Sequence, residues 1–521
     1  MGPLLRKYMQ SDYYLKVGTA RDLKSSKDRA FFRFFEIFPG LLSWGTIILA
    51  VILSWQKPVW IAVFIIFFDL YWFFRTIYFS FHLQSGYKKM REHEQANWLL
   101  KLEGLEHKTW KDIYHLIILP MYEEPLEIVR ETFKTLEGSD FPKDRMIIVL
   151  ACEDKVRSDV QKTADAVSRE FGSKFYKFIL TWHPADLPNE IAGKGSNETW
   201  AAKHARTVID SLQIPYENII YSSFDIDTCV FPKYFSCLTF YYLTAENPDR
   251  CSFQPIPLYI NNIWQASGVS RVFSFSSTFW HTMNQERPEK LITFSSHSMS
   301  FKTLVDVGFR QTNVVSDDSR IFWQCFLQYD GDYRVVPIYY PISMDSNVAS
   351  SFTKTMVNIY KQQRRWAYGV GDIAYFMFGF PKNKKIPVLK KISLAWELIQ
   401  GHWSWATSAI MIFLLGWLPL ILGGPNFAQN LLSYNLPKIT SAILTVSMLG
   451  LIISAYFSIV LMPPKPIGYG RTKYFIFILE WILVPFSMIF FNAVPAIDAQ
   501  TRWLLGKYMG FWPTEKVRKL S

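Results

Sequence analysis

Long apolar segments near both ends of the chain constrain its fold more than any other feature. Residues 37–55 contain no charged side chain and are long enough to cross the roughly 30 Å hydrocarbon core of a bilayer. Residues 58–81 are nearly as apolar, although Asp69 and Arg75 lie within them. Three further apolar segments follow near the other end, at 403–424, 439–464 and 474–497. These segments predict an integral membrane protein with transmembrane helices at both ends.

Between the two apolar groups lies a segment with the composition of a soluble domain. Its β-rich runs at 113–120, 145–153 and 218–227 alternate with helical stretches such as 125–136. Apolar strands separated by helices predict a mostly parallel sheet covered on both faces, and hence an α/β domain inserted between transmembrane helices. The predicted order is a basic arm (1–36), a transmembrane hairpin (37–82), the α/β domain (83–385), an interfacial helix (386–402), transmembrane helices (403–497) and a basic tail (498–521).

The chain carries 56 lysines and arginines against 44 aspartates and glutamates, a net charge of +12. We interpret this excess as positive-inside topology and attraction to a lipid bilayer rather than nucleic-acid binding, because no basic low-complexity tail and no nucleic-acid motif accompany it. The basic arm is expected in the cytoplasm, and two crossings return the α/β domain to the cytoplasmic face of the plasma membrane. The basic tail would lie outside if 474–497 crosses fully. Glu480 and Pro485 leave open a broken or re-entrant segment there.

Two closely spaced aspartates lie at the end of the β-rich run 218–227. Asp225 and Asp227, in the sequence FDID, have the spacing i, i+2. On an extended strand end this spacing points both carboxylates to the same side. Two hard oxygen ligands of this kind suit Mg²⁺ or Mn²⁺ held against a diphosphate. Such a pair also occurs by chance in solvated loops, so the pair alone leaves both interpretations open.

Adjacent aspartates begin a predicted amphipathic helix in NVVSDDSRIFWQ (313–324). Asp317 and Asp318 follow a short apolar run. Acidic residues in a first helical turn commonly complement the helix dipole. The alternative is a general base at the mouth of a cleft, because a carboxylate is suited to take a proton from a sugar hydroxyl.

Two further segments offer groups for phosphate. In KQQRRW, the residues Gln362, Arg365 and Trp366 fall on one face of a helix, where they provide an amide, a planar guanidinium and a stacking surface. A membrane-surface helix with an interfacial tryptophan explains the same pattern. In EIAGKGSNETW, Lys194 precedes a helix expected to start near Glu198, which suits a nucleotide phosphate or a uracil edge. An ordinary loop with an asparagine cap is the alternative.

In combination and in order, these segments resemble the membrane-bound branch of the family-2 inverting glycosyltransferases, which includes cellulose and hyaluronan synthases. The resemblance covers most of the central domain. LPMYEEP (119–125) is similar to the family's Pro-x-Tyr-Asn-Glu turn, with Glu124 at the Glu position, and VLACEDK (149–155) places Glu153 and Asp154 where the family has paired aspartates. SDD resembles the family's Thr-Glu-Asp with Asp318 at the base position, and QQRRW fits Gln-x-x-Arg-Trp without departure.

The resemblance implies a GT-A fold, a UDP-sugar or similar nucleotide-sugar donor, Mg²⁺ or Mn²⁺, and single displacement with inversion. It implies catalysis by Asp318 as the base and metal binding by Asp227 with Asp225. The donor nucleotide would be bound by Glu124, Glu153, Asp154, Lys194 and Asp225. The acceptor and diphosphate would be bound by Gln362, Arg365 and Trp366.

The acceptor and the product stay open at this point. A growing polysaccharide or glycan is one acceptor, and a lipid-linked acceptor that receives a single sugar is the other. A non-catalytic membrane scaffold or transport subunit with a decayed transferase domain is a third interpretation. The intact set of Asp225, Asp227, Asp318 and Arg365 argues against that third interpretation.

Overall fold

The structure is a computed structural model that describes residues 13–106, 109–515 and 517–518. Residues 1–12 of the predicted basic arm, and residues 516 and 519–521 of the predicted tail, lie outside the described residues.

Within the described residues, eight strands form one mixed sheet in the order β3-β2-β1-β4-β7-β6-β8-β5. The strands are β1 (Tyr114–Met121), β2 (Met146–Glu153), β3 (Lys177–His183), β4 (Ile219–Ser223), β5 (Cys229–Val230), β6 (Cys251–Leu258), β7 (Ser298–Ser300) and β8 (Arg334–Ser343). The half formed by β3, β2, β1 and β4 is parallel. The short strand β7 pairs antiparallel with both β4 and β6. The α/β prediction is therefore confirmed, whereas the prediction of a mostly parallel sheet is wrong for the second half.

Both faces of the sheet are covered, as the continuous apolar strands require. In β1, Leu116 and Ile118 belong to a core that includes Ala201 and Ile321 from helices on one face. Their neighbours Ile117 and Leu119 belong to a second core on the other face. This period-two alternation follows from the pleat of a strand.

Helices make up much of the remaining described chain. The predicted helix at 125–136 is Leu126–Glu137, with Pro125 at its N-cap. The α-helices are Ser26–Gln56, Pro58–Gln95, Trp98–Glu103, Leu126–Glu137, Arg157–Phe171, Lys194–Leu212, Tyr234–Thr244, Gly268–Gln285, Phe301–Asp306, Asp317–Gln328, Phe352–Ala367, Gly371–Gly379, Val388–Phe413, Leu418–Leu422, Gly424–Ala428, Leu431–Ser447, Leu449–Val460, Thr472–Leu479, Val484–Met488 and Val494–Leu505.

Among the described residues, four helices are long and apolar enough to span a membrane, namely Ser26–Gln56, Pro58–Gln95, Leu431–Val460 and Thr472–Leu505. A fifth span results if Val388–Phe413 and Leu415–Leu422, which are bent by 48°, count as one.

Several predicted boundaries do not coincide with helix ends. The first apolar helix begins at Ser26, inside the predicted arm, and the helix ending at Phe413 runs through the predicted division at 402. The predicted tail begins within the Val494–Leu505 helix.

The first and last of these apolar helices pack together. Ser43 Oγ donates a 2.6 Å hydrogen bond to Gln500 Oε1 across 457 residues of sequence. Trp44 Nε1 donates to Thr501 Oγ1 at 2.8 Å. A Cβ atom at Gly40 would lie 2.9 Å from the Gln500 carbonyl oxygen, so the glycine permits this close approach.

Candidate active site

The carboxyl ends of the four parallel strands bring the predicted donor-binding residues to one edge of the sheet. Glu124 follows β1, Glu153 ends β2, His183 ends β3 and Asp225 follows β4. In open α/β sheets, ligands bind outside the carboxyl ends of the strands. The candidate site is therefore built on this edge.

A lysine links the predicted metal ligand Asp225 to the predicted base Asp318 at the centre of the site. Lys194 Nζ lies 2.8 Å from Asp225 Oδ1 and 3.2 Å from Asp318 Oδ1. Its side chain is 8% exposed, against 25% for Asp318 and 28% for Asp225. The helix that carries Lys194 begins at this residue rather than near Glu198, and Asn197 Nδ2 anchors the helix start by donating to the Ala151 carbonyl of β2 at 2.8 Å. The ammonium thus occupies the space between the predicted metal ligand and the predicted base.

A buried arginine also holds Asp318. Arg310 Nη2 donates to Asp318 Oδ1 at 2.6 Å and lies 3.3 Å from Asp317 Oδ2. Its Nη1 donates to Ser223 Oγ at 2.6 Å and forms an ion pair with Glu198. The Arg310 side chain is 1% exposed.

The protonation states of these carboxyl groups differ because their surroundings differ. Burial raises the pKa of Asp317, and it raises the pKa of Glu198 to about 7. Burial has the same tendency at Asp318, but the charges of Lys194 and Arg310 outweigh it and hold the pKa of Asp318 below its usual range. Of the three carboxyl groups that contact Arg310, Asp318 is therefore the one that is both ionised and partly exposed.

A second cluster lies at the carboxyl ends of β2 and β3, where the nucleoside is expected. His183 Nδ1 lies 3.0 Å from Glu153 Oε2, and His183 Nε2 lies 3.1 Å from Glu190 Oε2. Burial opposes protonation of this imidazole, but the two glutamates outweigh it and raise the pKa of His183. Glu124 Oε2 accepts the Tyr122 backbone N–H at 2.8 Å. The predicted donor ligand Asp154 is half exposed and pairs with Arg157 at 3.0 Å.

The two aspartates of the predicted metal site have different partners. Strand β4 ends at Ser223, and Asp225 and Asp227 lie in a turn, where the Thr228 N–H donates to the Asp225 carbonyl at 2.9 Å. The two carboxylates were predicted to point to the same side because they would lie on an extended strand end. That reason is wrong, because both residues lie in a turn beyond the strand. Asp225 Oδ2 accepts from Ser295 Oγ at 2.7 Å, and Asp227 Oδ2 accepts the Asp345 N–H at 3.0 Å.

No group of three or more histidine, cysteine, aspartate or glutamate side chains that could hold a metal ion occurs within the described part of the chain. Mg²⁺ is commonly bound by one or two carboxylates together with substrate phosphates. The residues present therefore fit a cation shared with a bound diphosphate, not a cation held by protein ligands alone.

The Gln-x-x-Arg-Trp residues lie on the Phe352–Ala367 helix, at the side of the site. The Trp366 ring lies 6.5 Å from the Tyr259 ring and 6.1 Å from the Phe273 ring. Burial raises the pKa of Tyr259, and the neighbouring Asp225, Asp227 and Asp318 charges raise it further. Gln362 Oε1 accepts from Asn347 Nδ2 at 3.4 Å. Tyr259 thus extends the aromatic surface around Trp366.

The segment after the last helix crosses the site. The Phe511 ring lies 4.6 Å from the Arg365 guanidinium and packs so closely against Gly193 that no Cβ would fit there. Arg518 Nη2 lies 2.5 Å from Asp345 Oδ1, and the Asp345 N–H is the donor that holds Asp227. The tail therefore contacts Gly193, which precedes Lys194, and Asp345, which holds Asp227.

Sequence analysis did not identify the buried residues His183 and Arg310, which contact the carboxylates of the site. It also did not identify the contacts made by the tail. His183 was open to prediction, because it ends a β-rich run at the edge where Glu153 was expected to act. Arg310 has no sequence signal, since it follows a turn at Gly308 and Phe309 with positive φ and belongs to no motif. Phe511 and Arg518 reach the site from segments distant in sequence, which local patterns do not reveal.

No protein-family model matches this chain, and no curated protein matches it. Among solved structures, it is similar to a mannosyltransferase from Pyrobaculum calidifontis, solved with GDP-Man and Mn²⁺, at 13% identity and a TM-score of 0.39, over 73% of this chain and 99% of the other. It is also similar to residues 1–349 of S. aureus TarS, solved with UDP-GlcNAc, at 11% identity and a TM-score of 0.36, over 76% of this chain and 93% of the other. Similarities this distant assign neither an activity nor a substrate.

Proposed function

We propose that this chain is a membrane-embedded inverting glycosyltransferase of the family-2 type. It transfers a sugar from a nucleotide-sugar donor, for which we propose a UDP-sugar, to a glycan acceptor at the cytoplasmic face of the membrane. The observation that carries the proposal is the contact of Lys194 with both Asp225 and Asp318, because it brings three motifs from distant parts of the sequence into one cluster.

In the proposed reaction, Asp318 accepts the proton of the acceptor hydroxyl while that oxygen attacks the anomeric carbon. The bond from this carbon to the diphosphate breaks on the opposite face, which inverts the configuration. Asp318 is suited to this step because it is ionised and its side chain is the more exposed of the two adjacent aspartates. General bases of this kind contribute about 10²–10⁴ to a rate.

Lys194 gives the site a means of coupling donor binding to the strength of the base. The ammonium lies between Asp225 and Asp318, and it is shared by both carboxylates. A diphosphate bound at the Asp225 side attracts the same ammonium. When Lys194 turns toward the diphosphate, Asp318 loses one stabilising charge and becomes a stronger base.

The expected Mg²⁺ or Mn²⁺ would be held by Asp225 and Asp227 together with the diphosphate, and it would neutralise charge on the leaving group. Arg365 would contact the same diphosphate, and the Phe511 ring, 4.6 Å from its guanidinium, would then lie beside that contact. Trp366 and Tyr259 would form the surface against which the acceptor sugar packs.

The test is nucleotide release and product formation by the full chain, purified in detergent and given a panel that includes UDP-glucose, UDP-N-acetylglucosamine and GDP-mannose. We expect one donor to release its nucleoside diphosphate when Mn²⁺ and an acceptor are present, and excess chelator to stop release. Asp318→Asn serves as the matched inactive control. Absence of release from every donor, with both polysaccharide and lipid-linked acceptors, would contradict the proposal.

A further inference from the structure

A buried arginine outside every recognised motif makes the closest contact with the proposed base. Arg310 Nη2 lies 2.6 Å from Asp318 Oδ1, whereas Lys194 Nζ lies 3.2 Å from both carboxylate oxygens, Oδ1 and Oδ2. The two cations therefore share Asp318, but they are held in different ways.

The guanidinium of Arg310 is fixed by groups that have no part in binding substrate. Its Nη1 is held by Glu198 and Ser223, whose side chains are fully buried, and Ser223 Oγ also donates to Glu198 Oε2 at 2.8 Å. Tyr221 OH donates to the same Glu198 oxygen at 3.3 Å. A planar guanidinium held at one nitrogen in this way has its other nitrogen fixed in direction. Arg310 is thus a rigid link between the core of the sheet and Asp318.

Lys194 differs because its ammonium ends a flexible stem and is shared with Asp225. A diphosphate that attracts Lys194 leaves Arg310 as the cation still in contact with Asp318. Because Arg310 contacts Oδ1, the Oδ2 atom is then available to an acceptor hydroxyl.

We propose that Arg310 is a positioning residue for catalysis: anchored by Glu198, it fixes the orientation of the Asp318 carboxylate so that Oδ2 faces the acceptor hydroxyl once Lys194 has turned toward the diphosphate. The inference rests on the proposed glycosyltransferase function. A group held slightly out of the productive geometry loses much of its catalytic effect.

The experiment compares Arg310→Lys and Arg310→Met with a control that removes an equally buried arginine contact elsewhere. Arg320 provides this control because its side chain is 2% exposed and its hydrogen bonds go to Asp372, Gln311 and the Val17 carbonyl, not to Asp318 or Lys194. The full chain in detergent is assayed for kcat and KM of the donor, for UDP affinity with Mn²⁺, and for thermal stability.

We expect Arg310→Met to lower kcat by about 10²-fold or more, toward the loss expected for a missing base, with UDP affinity unchanged. Arg310→Lys should lose less kcat than Arg310→Met. Lysine keeps the positive charge, but it lacks the two guanidinium nitrogens that bind Glu198 and Asp318 at the same time. Arg320→Lys should lower thermal stability as much as Arg310→Lys does while leaving kcat unchanged.

Two results would overturn the inference. If the Arg310 variants lose kcat only as much as Arg320→Lys does at equal thermal stability, Arg310 has a structural role alone. If Arg310→Met turns over normally while Asp318→Asn is inactive, Asp318 does not depend on Arg310 for its orientation. The proposed function would then stand, and this inference would not. A wild-type chain that transfers sugar from no donor would overturn both proposals.

Discussion

Asp317 and Asp318 are neighbours in sequence, yet their side chains have different surroundings. Consecutive residues of a helix point about 100° apart, so only one of the two can face the site. Asp317 is 4% exposed and lies against Gly195, whereas the Asp318 side chain contacts Lys194 and is partly exposed.

We predict that Asp318→Asn lowers the transfer rate by about 10²–10⁴ while UDP affinity is retained. Asp317→Asn should cost far less activity, because that side chain supports the helix start and Arg310 from within the core. Single-turnover assays of both variants, with nucleotide binding measured in parallel, check this expectation. The reverse ranking would move the base to Asp317, and equal, small effects would place the base elsewhere.

The imidazole of His183 between two glutamates makes stability depend on pH. Its pKa is raised above the usual 6.5 by Glu153 and Glu190, which outweigh burial. The stabilisation from the imidazolium is therefore complete below the unfolded-state pKa and is lost as the pH rises through the higher folded-state pKa.

We predict that wild type is more stable than His183→Gln at about pH 6 and that this difference shrinks toward about pH 9. Thermal unfolding of the detergent-solubilised proteins over this pH range measures it. The exposed His204 provides the matched control, because His204→Gln should follow the wild-type curve. A difference that is constant or grows with pH would contradict the assignment of the charge to His183.

At the scale of elements, the tail is the segment with the clearest consequence for the site. Arg518 pairs with Asp345, and Phe511 packs between Gly193 and Arg365. The ion pair therefore fixes the end of a segment that covers the proposed diphosphate position.

We predict that Arg518→Gln raises the KM of the donor roughly tenfold, since a hydrogen bond to a charged group contributes about 1.5–3 kcal/mol and about 1.4 kcal/mol corresponds to tenfold. The kcat at saturation should change little. Steady-state kinetics measure both values. The control is Arg334→Gln, which breaks a more exposed ion pair with Glu246 at 3.8 Å. An unchanged KM would mean that the tail does not act on the donor.

The elements that sequence analysis predicted best are those with a continuous local signal. β1, β2 and β4 are apolar runs, and their starts lie within one residue of the predicted positions. β7 has three residues of the sequence SMS and carries no alternation, so nothing local marks it as the strand that makes the sheet mixed.

The Lys194 helix starts four residues earlier than expected because Asn197 bonds to β2 instead of capping the helix. Motif residues were predicted from the sequence, whereas their partners depend on tertiary contacts between distant segments.

At the scale of the whole molecule, contacts with the α/β domain constrain the membrane topology. The described part of the arm lies on the domain, because Gln311 Nε2 donates to the Leu15 carbonyl at 2.9 Å. The loop between the last two apolar helices also touches it, since Trp264 Nε1 donates to the Pro463 carbonyl at 3.2 Å. The tail contacts the domain through Arg518. In a bilayer, all three segments would therefore share the side of the domain.

In the proposed membrane-embedded protein, these contacts would put both ends of Thr472–Leu505 on the side of the domain, although this segment is apolar enough to cross. Its start is bound to the domain through the Glu480–Arg271 ion pair, and its end through Trp503 Nε1, which donates to the Tyr368 carbonyl at 3.1 Å. A 3₁₀ turn at Glu480–Leu483 and a π-helical turn at Ile489–Ala493 interrupt the regular α-helix within this segment. A basic tail on the same side as the domain, for which we propose the cytoplasm, would then agree with the positive-inside rule.

We predict that a cysteine introduced at Gln429 reacts with a membrane-impermeant maleimide in intact cells, whereas cysteines at Ile467 and Lys507 react only after permeabilisation. Residues 429 and 467 are exposed, and the five native cysteines are buried. Gel-shift labelling of the three variants in a cysteine-bearing background measures this. Labelling of Lys507→Cys from outside would show that the last apolar helix crosses.

The pairing of the first and last apolar helices also has a consequence for biosynthesis. Ser43 and Gln500 are 457 residues apart, so at roughly 5–20 residues per second the ribosome needs about 20–90 s to supply the partner of the first helix. During that interval the polar face of Ser26–Gln56, with Ser43 and Gly40, is unpaired. A chain whose translation stops before residue 500 therefore lacks the partner that this face contacts in the folded protein.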